Sequence, residues 1–309
     1  MAIMRSFKSS ALYTEMTRTL FIVSIFSGLG GMSFGLDNNY WSGAMALQKF
    51  ADQFGRMNAL TGLYSIPTVW QSVGSGTPLA GVALGCLLAA PLGERFGRKI
   101  CFRIISAIAT VGVLVQATAI GSYWQIIAGR IINSVSMGII CNIVPTYQTE
   151  CAPPAIRGAC INFYQFWQLV GALLATVINY ACSTRTDQWA YRTVIVVQFI
   201  MPVTIMAGSF LLPDTPHWLL SKGRVEEAEE VMLWLRRGAS PDVIRVEIHL
   251  IKAAIDEQHE LHYATSYVDC FRGTNARRTM IAIGVQVFQQ LQGASVSLIQ
   301  LFARTYISI

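Results

Sequence analysis

The stretch LFIVSIFSGLGGMSFGLDNNYW, residues 20–41, is apolar along nearly its whole length. A helix of about twenty such residues crosses the roughly 30 Å hydrocarbon core of a bilayer. The stretch carries one charge, Asp37, about four residues before its end at Trp41, and a charge at that depth costs roughly 2.5–3.5 kcal/mol even on lenient insertion scales. Residues 20–41 therefore predict a transmembrane helix whose carboxylate needs a compensating partner.

The matching cation is Arg130, about seven residues into another apolar stretch that begins near Tyr123. At about 1.5 Å per residue, both charges lie roughly 6–10 Å deep. They can pair if their ends of the two helices face the same side. The residues alone leave two interpretations open: an ion pair that only fixes helix packing, or a titratable pair that serves transport.

The rest of the sequence repeats the apolar pattern. The 309 residues are 53% hydrophobic and 13% charged, whereas about a quarter of the residues in a soluble globular protein are charged. The composition therefore predicts a multi-pass membrane protein. Seven spans are expected, near residues 20–41, 74–92, 100–120, 123–145, 159–181, 193–212 and 279–299.

Lys and Arg residues are distributed unevenly over the short connections between spans. Eight fall in residues 1–19, 93–103 and 148–158, and three fall in 42–73, 121–123 and 182–190. Because positive charge favours the cytosolic side, we expect a cytosolic N-terminus that is not a cleaved signal peptide. The net charge of +6 then needs no nucleic acid as a partner.

The sequence predicts no cofactor and no metal site. The seven cysteines have no paired short spacing, so we expect neither disulfides nor a metal cluster. His259 and His262 stand at i and i+3 but lack a third ligand at a suitable spacing. A membrane enzyme is set aside, because no nucleophile with a base and no phosphate-binding loop is found.

The polar segment 214–278 predicts two amphipathic helices that lie against the cytosolic face. The first runs over 224–237 and stops at Gly238, and the second starts at Ser240 and Pro241 with an isoleucine stripe. The predicted divisions are a cytosolic N-terminus (1–19), a six-helix bundle (20–213), a cytosolic helical linker (214–278) and an incomplete seventh span (279–309).

Four motifs stand within the spans or at their ends: PLGERFGRK (91–99), RIINSVSMGIICNIVPTYQTECAPPAIRG (130–158), LPDTPHWLLSKGR (212–224) and VFQQLQG (287–293). In this order they resemble the sugar porters of the major facilitator superfamily, and CFRGTNARRT (270–279) is similar to the fungal members. The resemblance implies an all-α membrane protein built from two six-helix halves that rock about a central sugar site. This chain is expected to be the N-terminal half, the linker and part of the seventh helix.

The resemblance assigns roles to charged residues. In proton-coupled members, an Asp on the first helix and an Arg on the fourth form the coupling pair, at the positions of Asp37 and Arg130. It also implies a cytosolic gating network of Glu94, Arg95, Arg98, Glu150, Arg157 and Asp214. Glu94 and Asp214 exchange the family's Asp and Glu, and His217 replaces a usual Arg, so the network is expected to be weaker.

Two amide stripes are candidates for the sugar site, since amides both donate and accept hydrogen bonds. They are Asn162, Gln165 and Gln168 in the fifth span, and Gln286, Gln289 and Gln290 in the seventh. Such stripes either line a cavity or join helices by hydrogen bonds. The resemblance favours sugar binding by Gln165, Gln168, Gln289, Gln290 and Ser295, although the family usually has an Asn at the last position.

The expected function is sugar transport by alternating access, with proton-coupled symport of a hexose or small glucoside across the plasma membrane. The partners are the sugar, protons and the lipid bilayer. The resemblance ends near Val296, so we expect a truncated chain that is inactive unless a second copy or a separate C-terminal half completes the site. The alternative is a transporter-like sugar sensor or regulatory half-protein that moves no solute.

Overall fold

A computed structural model describes residues 16–57, 62–183, 185, 187, 189–237, 240–262 and 271–291. Most of these residues are helical. The helices are α1 Arg18–Ala46, α2 Gln48–Phe54, α3 Thr68–Ala117, α4 Tyr123–Cys151, α5 Arg157–Ser183, α6 Trp189–Val197, α7 Ile200–Ser209, α8 Pro216–Ser221, α9 Val225–Leu235, α10 Pro241–His262 and α11 Gly273–Leu291. Two short strands, β1 Arg56–Met57 and β2 Tyr64–Ser65, pair antiparallel between α2 and α3.

Five helical segments within the described residues are long and apolar enough to cross a membrane: α1, α3, α4, α5, and α6 with α7 as one segment. Helix α3 has 50 residues, about 75 Å of helix, which is roughly twice the thickness of a bilayer. It is kinked at Gly97, where φ is +82°, a conformation that favours glycine. The two halves of α3 therefore correspond to the second and third predicted spans, and the predicted all-α membrane fold with six N-terminal spans is confirmed.

Helices α1 and α4 run antiparallel. Near the start of α1, the carbonyl of Ser24 accepts a hydrogen bond from Gln148 Nε2, near the end of α4, at 3.2 Å. Near the end of α1, the ring of Trp41 packs against Tyr123 at the start of α4, with centroids 6.3 Å apart. We call the end that holds Trp41 and Tyr123 the aromatic end, and the opposite end, which holds Gly97 and Glu150, the charged end.

Glycines bring the first half of α3 into close contact with α4. A Cβ placed on Gly138 would lie 2.8 Å from Gly85 Cα and 2.8 Å from Cys86 N, too close for any side chain. Such small residues allow transmembrane helices to pack backbone against backbone.

Replacing Gly138 with valine is expected to separate α3 from α4 and to destabilise the bundle by about 1–3 kcal/mol or more, because the added carbons overfill a packed interface. The measurement is the thermal unfolding midpoint of the purified chain in detergent. Gly76→Val is the matched control, since Gly76 lies on the partner helix α3 with nothing within 4 Å of its Cβ position. Equal midpoints for the two variants would contradict the proposed packing.

The chain divides into two compact units, one up to Arg245 and one from Val246 onward. The boundary falls inside the predicted linker, whose two amphipathic helices form as α9 and α10. In the first unit, Thr17 Oγ1 donates a hydrogen bond to the carbonyl of Leu235, at the end of α9. Helix α9 therefore packs against the start of α1, at the charged end.

Candidate functional site

Asp37 points from α1 toward α4 at the aromatic end and is half-buried. Its Oδ1 accepts a hydrogen bond from Asn133 Nδ2 at 2.6 Å. Arg130 lies one turn earlier on α4 and interacts with Asp37 electrostatically. The ion pairs with N···O distances up to 4.0 Å within the described residues do not include Asp37 with Arg130. Asn133 therefore makes the direct contact to the carboxylate, beside the arginine.

Arg130 has partners of its own and is 6% exposed. Its NH1 donates to the carbonyl of Gly74 in α3 at 2.8 Å. Pro78, four residues later, has no N–H to donate to that carbonyl, so the guanidinium takes the place of the missing helical donor. The guanidinium also lies over the rings of Trp41 and Tyr40, 4.0 and 5.5 Å from their centroids. Both contacts hold Arg130 in place without Asp37.

The aromatic end is closed by α2. Phe50 is fully buried and packs edge-on against Trp41 at 5.7 Å between centroids. Phe54 packs against Tyr191 of α6 at 5.5 Å. Apolar rings that cover a buried guanidinium keep water away from it, which strengthens its electrostatic interactions.

The charged end contains an ion pair that joins α3, next to its kink, to the end of α4. Arg98 NH2 lies 2.6 Å from Glu150 Oε1, and the two side chains are 12% and 13% exposed. Arg98 NH1 also donates to the carbonyl of Gly93 at 2.9 Å, while Thr215 Oγ1 donates to Glu150 Oε2 at 2.6 Å. Both carboxylate oxygens are therefore hydrogen-bonded, which a buried charge requires.

Asp214 caps the second half of α3. Its Oδ1 accepts the backbone N–H of Lys99 at 2.9 Å, directly after the kink at Gly97. The first N–H groups of a helix have no partner inside the helix, and a carboxylate there satisfies one of them. Nearby, Trp218 Nε1 donates to the carbonyl of Glu94 at 3.1 Å, so the segment from Asp214 to Trp218 is attached to both sides of the kink.

The structure thus brings together three of the six predicted gating residues: Arg98, Glu150 and Asp214. The side chains of Glu94, Arg95 and Arg157 are exposed, and none of them belongs to an ion pair within the described residues. Thr215 was not among the residues predicted from the sequence. The dipeptide Thr215-Pro216 is a typical helix start, and the hydroxyl that caps α8 also binds Glu150.

The sugar candidates fall partly within the described residues. On α5, Gln165 is exposed and Gln168 is half-buried. Neither side chain has a hydrogen bond to another described residue, which leaves both amides available to a ligand. The side chains of Gln289 and Gln290, and all of Ser295, lie outside the described residues. Within the described part of the chain, no group of three or more His, Cys, Asp or Glu residues could hold a metal ion.

Residues 23–300 match the family described as "Sugar (and other) transporter". The chain is 32% identical over 274 residues to the "Major facilitator-type transporter ecdD" of Aspergillus rugulosus, an alignment that covers 88% of this chain and 50% of that protein. It is 30% identical over 279 residues to the "High-affinity glucose transporter ght2" of Schizosaccharomyces pombe, covering 88% and 51%. The chain spans about half the length of these curated relatives.

Solved structures show the same fold. The proton:xylose symporter XylE bound to 6-bromo-6-deoxy-D-glucose matches with a TM-score of 0.70 at 22% identity, over 79% of this chain and 55% of that one. The partially occluded inward-open conformation of XylE from E. coli also gives 0.70 at 22%, over 91% and 65%. This multi-pass membrane chain therefore belongs to the sugar transporter family and has the helical fold of the major facilitator superfamily.

Proposed function

We propose that the full-length protein containing this chain moves a hexose or small glucoside by alternating access, coupled to protons. The observation that carries the proposal is a carboxylate, Asp37, that faces a neutral amide and a buried arginine inside a membrane bundle. Ionisable groups within membrane spans are costly and commonly mark ion or proton pathways. The relatives named for glucose and for proton:xylose symport support the same substrate class.

The contacts of Arg130 make Asp37 suitable for reversible protonation. The carbonyl of Gly74 and the ring of Trp41 hold the guanidinium of Arg130. Neutralising Asp37 would therefore not leave this buried cation without partners. Protonation would instead change the hydrogen bond with Asn133, which joins α1 to α4. A local charge change that alters a helix contact can bias a two-state bundle.

We place the sugar against α5, where Gln165 and Gln168 offer donors and acceptors, with Gln289, Gln290 and Ser295 completing the site. The Arg98–Glu150 pair and the Asp214 cap would hold the charged end closed when the sugar site is open at the aromatic end. The protein would lie in the plasma membrane, and the Lys and Arg bias supports a cytosolic position for the charged end and the N-terminus. A second copy or a C-terminal half would supply the remaining wall of the site.

Uptake by proteoliposomes tests this function. The full-length product of the gene should accumulate a labelled hexose or glucoside when the outside is acidic, and a protonophore should abolish that accumulation. Vesicles with only the 309-residue chain are expected to take up none. Uptake that ignores the pH gradient would overturn proton coupling, and sugar binding without any uptake would favour the sensor alternative.

A further inference from the structure

The sixth span is broken between α6 and α7. At the break, the N–H of Gln198 bonds to the carbonyl of Ile195 at 3.1 Å, and that of Phe199 bonds to Val196 at 3.0 Å. Each bond spans three residues, as in a 3₁₀-helix, and not the four of an α-helix. Pro202 stands four residues after Gln198 and has no N–H. The carbonyl of Gln198 therefore loses the donor that a regular helix would supply.

The side chain of Gln198 has no hydrogen bond of normal geometry to the described residues. It is 6% exposed, and both Nε2 and Oε1 lack such a bond within the described part of the chain. The hydroxyl of Tyr40, which faces this side chain, donates instead to Gln116 at 2.6 Å. A buried amide without hydrogen bonds is unfavourable, because it has lost its bonds to water and gained none in return. Some ligand with both donor and acceptor capacity is expected to satisfy it.

A small cavity lies beside this amide. Gln198 and Pro202 line it from the broken span, Asp37 from α1, and Asn133 and Met137 from α4. Asp37 Oδ1 is bonded to Asn133, and Oδ2 has no hydrogen-bond donor among the described residues. The cavity is therefore lined by Gln198, which has the unpartnered amide and the released carbonyl, and by Asp37, which has the available carboxylate oxygen.

A proline also releases a helix carbonyl in α3, where the outcome is different. Pro78 releases the carbonyl of Gly74, and Arg130 fills the vacant position with an N–H at 2.8 Å. No described side chain does this for the carbonyl of Gln198. A ligand is therefore expected at the carbonyl of Gln198. It must be small enough for the cavity and able to donate two hydrogen bonds.

We propose that one water molecule is bound in this cavity. It donates to Asp37 Oδ2 and to the released carbonyl of Gln198, and it accepts from Gln198 Nε2. Three polar partners are typical of a buried structural water. The site stands whether or not the protein couples to protons. If the proposed function holds, this water is the last carrier of the proton to Asp37.

X-ray radiolytic footprinting of the 309-residue chain in lipid nanodiscs tests the proposal. A brief exposure turns bound water into hydroxyl radicals, which oxidise side chains next to it even when bulk water cannot reach them. Met137 lines the cavity and is 3% exposed, and Met232 on α9 is equally buried at 3% but far along the chain from the cavity residues. We expect Met137 to be oxidised several-fold faster than Met232.

Gln198→Leu should lower the oxidation rate of Met137 to that of Met232, because it removes one partner of the water. Gln125→Leu is the matched control, since Gln125 bonds to the carbonyl of Val115 at 3.2 Å and does not line the cavity. An unchanged Met232 rate shows that each variant is folded. Equal rates for Met137 and Met232 in the unaltered chain, or a Met137 rate that survives Gln198→Leu, would overturn the proposal. The comparison of Met137 with Met232 in the unaltered chain needs no variant.

Discussion

Full-length protein carrying Asp37→Asn is expected to lose sugar accumulation against a gradient and to keep downhill exchange. One proton that moves down a one-unit pH gradient releases about 1.4 kcal/mol, which sustains a roughly tenfold sugar ratio across the membrane. Without a titratable group at position 37, that ratio should fall to one. Labelled-sugar accumulation in proteoliposomes, with the outside acidic by one pH unit, measures the effect.

Asparagine is the appropriate replacement because it keeps the size of aspartate and can still accept from Asn133 Nδ2. Arg130 should remain buried in the variant, since Gly74 and Trp41 hold it. Asp52→Asn is the control, because Asp52 is an exposed carboxylate on α2 whose side chain contacts Lys49 and Gln48 at the surface. Accumulation that persists in the Asp37 variant would show that the carboxylate serves only helix packing.

The spans and the two buried charges could be predicted because hydropathy and isolated charges are local properties of the sequence. The direct partners of those charges could not. Asn133 is a neutral residue inside an apolar stretch, and nothing in its spacing distinguishes it from helix-joining amides. The bond from Arg130 to Gly74 depends on Pro78 in another helix, so it requires the packed bundle.

The break in the sixth span could likewise be predicted only in part from the sequence. Residues 193–212 predict one continuous helix by hydropathy, whereas the structure ends α6 at Val197 and begins α7 at Ile200. Pro202 was visible in the sequence, and a proline within a span indicates a released carbonyl four residues earlier. What the sequence could not indicate is that this position faces Asp37.

At the charged end, the motifs predicted which residues carry charge but not which of them meet. Arg95 and Arg98 are three residues apart, yet only Arg98 is turned toward Glu150, because the kink at Gly97 redirects the chain between them. The positive φ of a single glycine decides this, and sequence spacing alone treats the two arginines as equivalent.

Glu150→Ala is expected to destabilise the chain by about 3–5 kcal/mol, since it leaves the nearly buried guanidinium of Arg98 without its carboxylate. It also removes the acceptor of Thr215. Chemical unfolding of the purified chain in detergent, followed by tryptophan fluorescence, measures the loss. Glu227→Ala is the matched control: Arg224 and Glu227 form an ion pair with two hydrogen bonds, but their side chains are 47% and 51% exposed.

Removing the exposed pair should cost far less than removing the interior pair, because water replaces its interactions. The double variant Arg98→Leu with Glu150→Leu should recover most of the stability lost in Glu150→Ala, since apolar residues of suitable size need no partner. If the pair also locks the charged end, the double variant in the full-length protein should shift the balance between outward-facing and inward-facing states while the fold remains stable. Equal losses for Glu150→Ala and Glu227→Ala would show that the interior pair contributes no more than a surface contact, and the gating role would lose its physical basis.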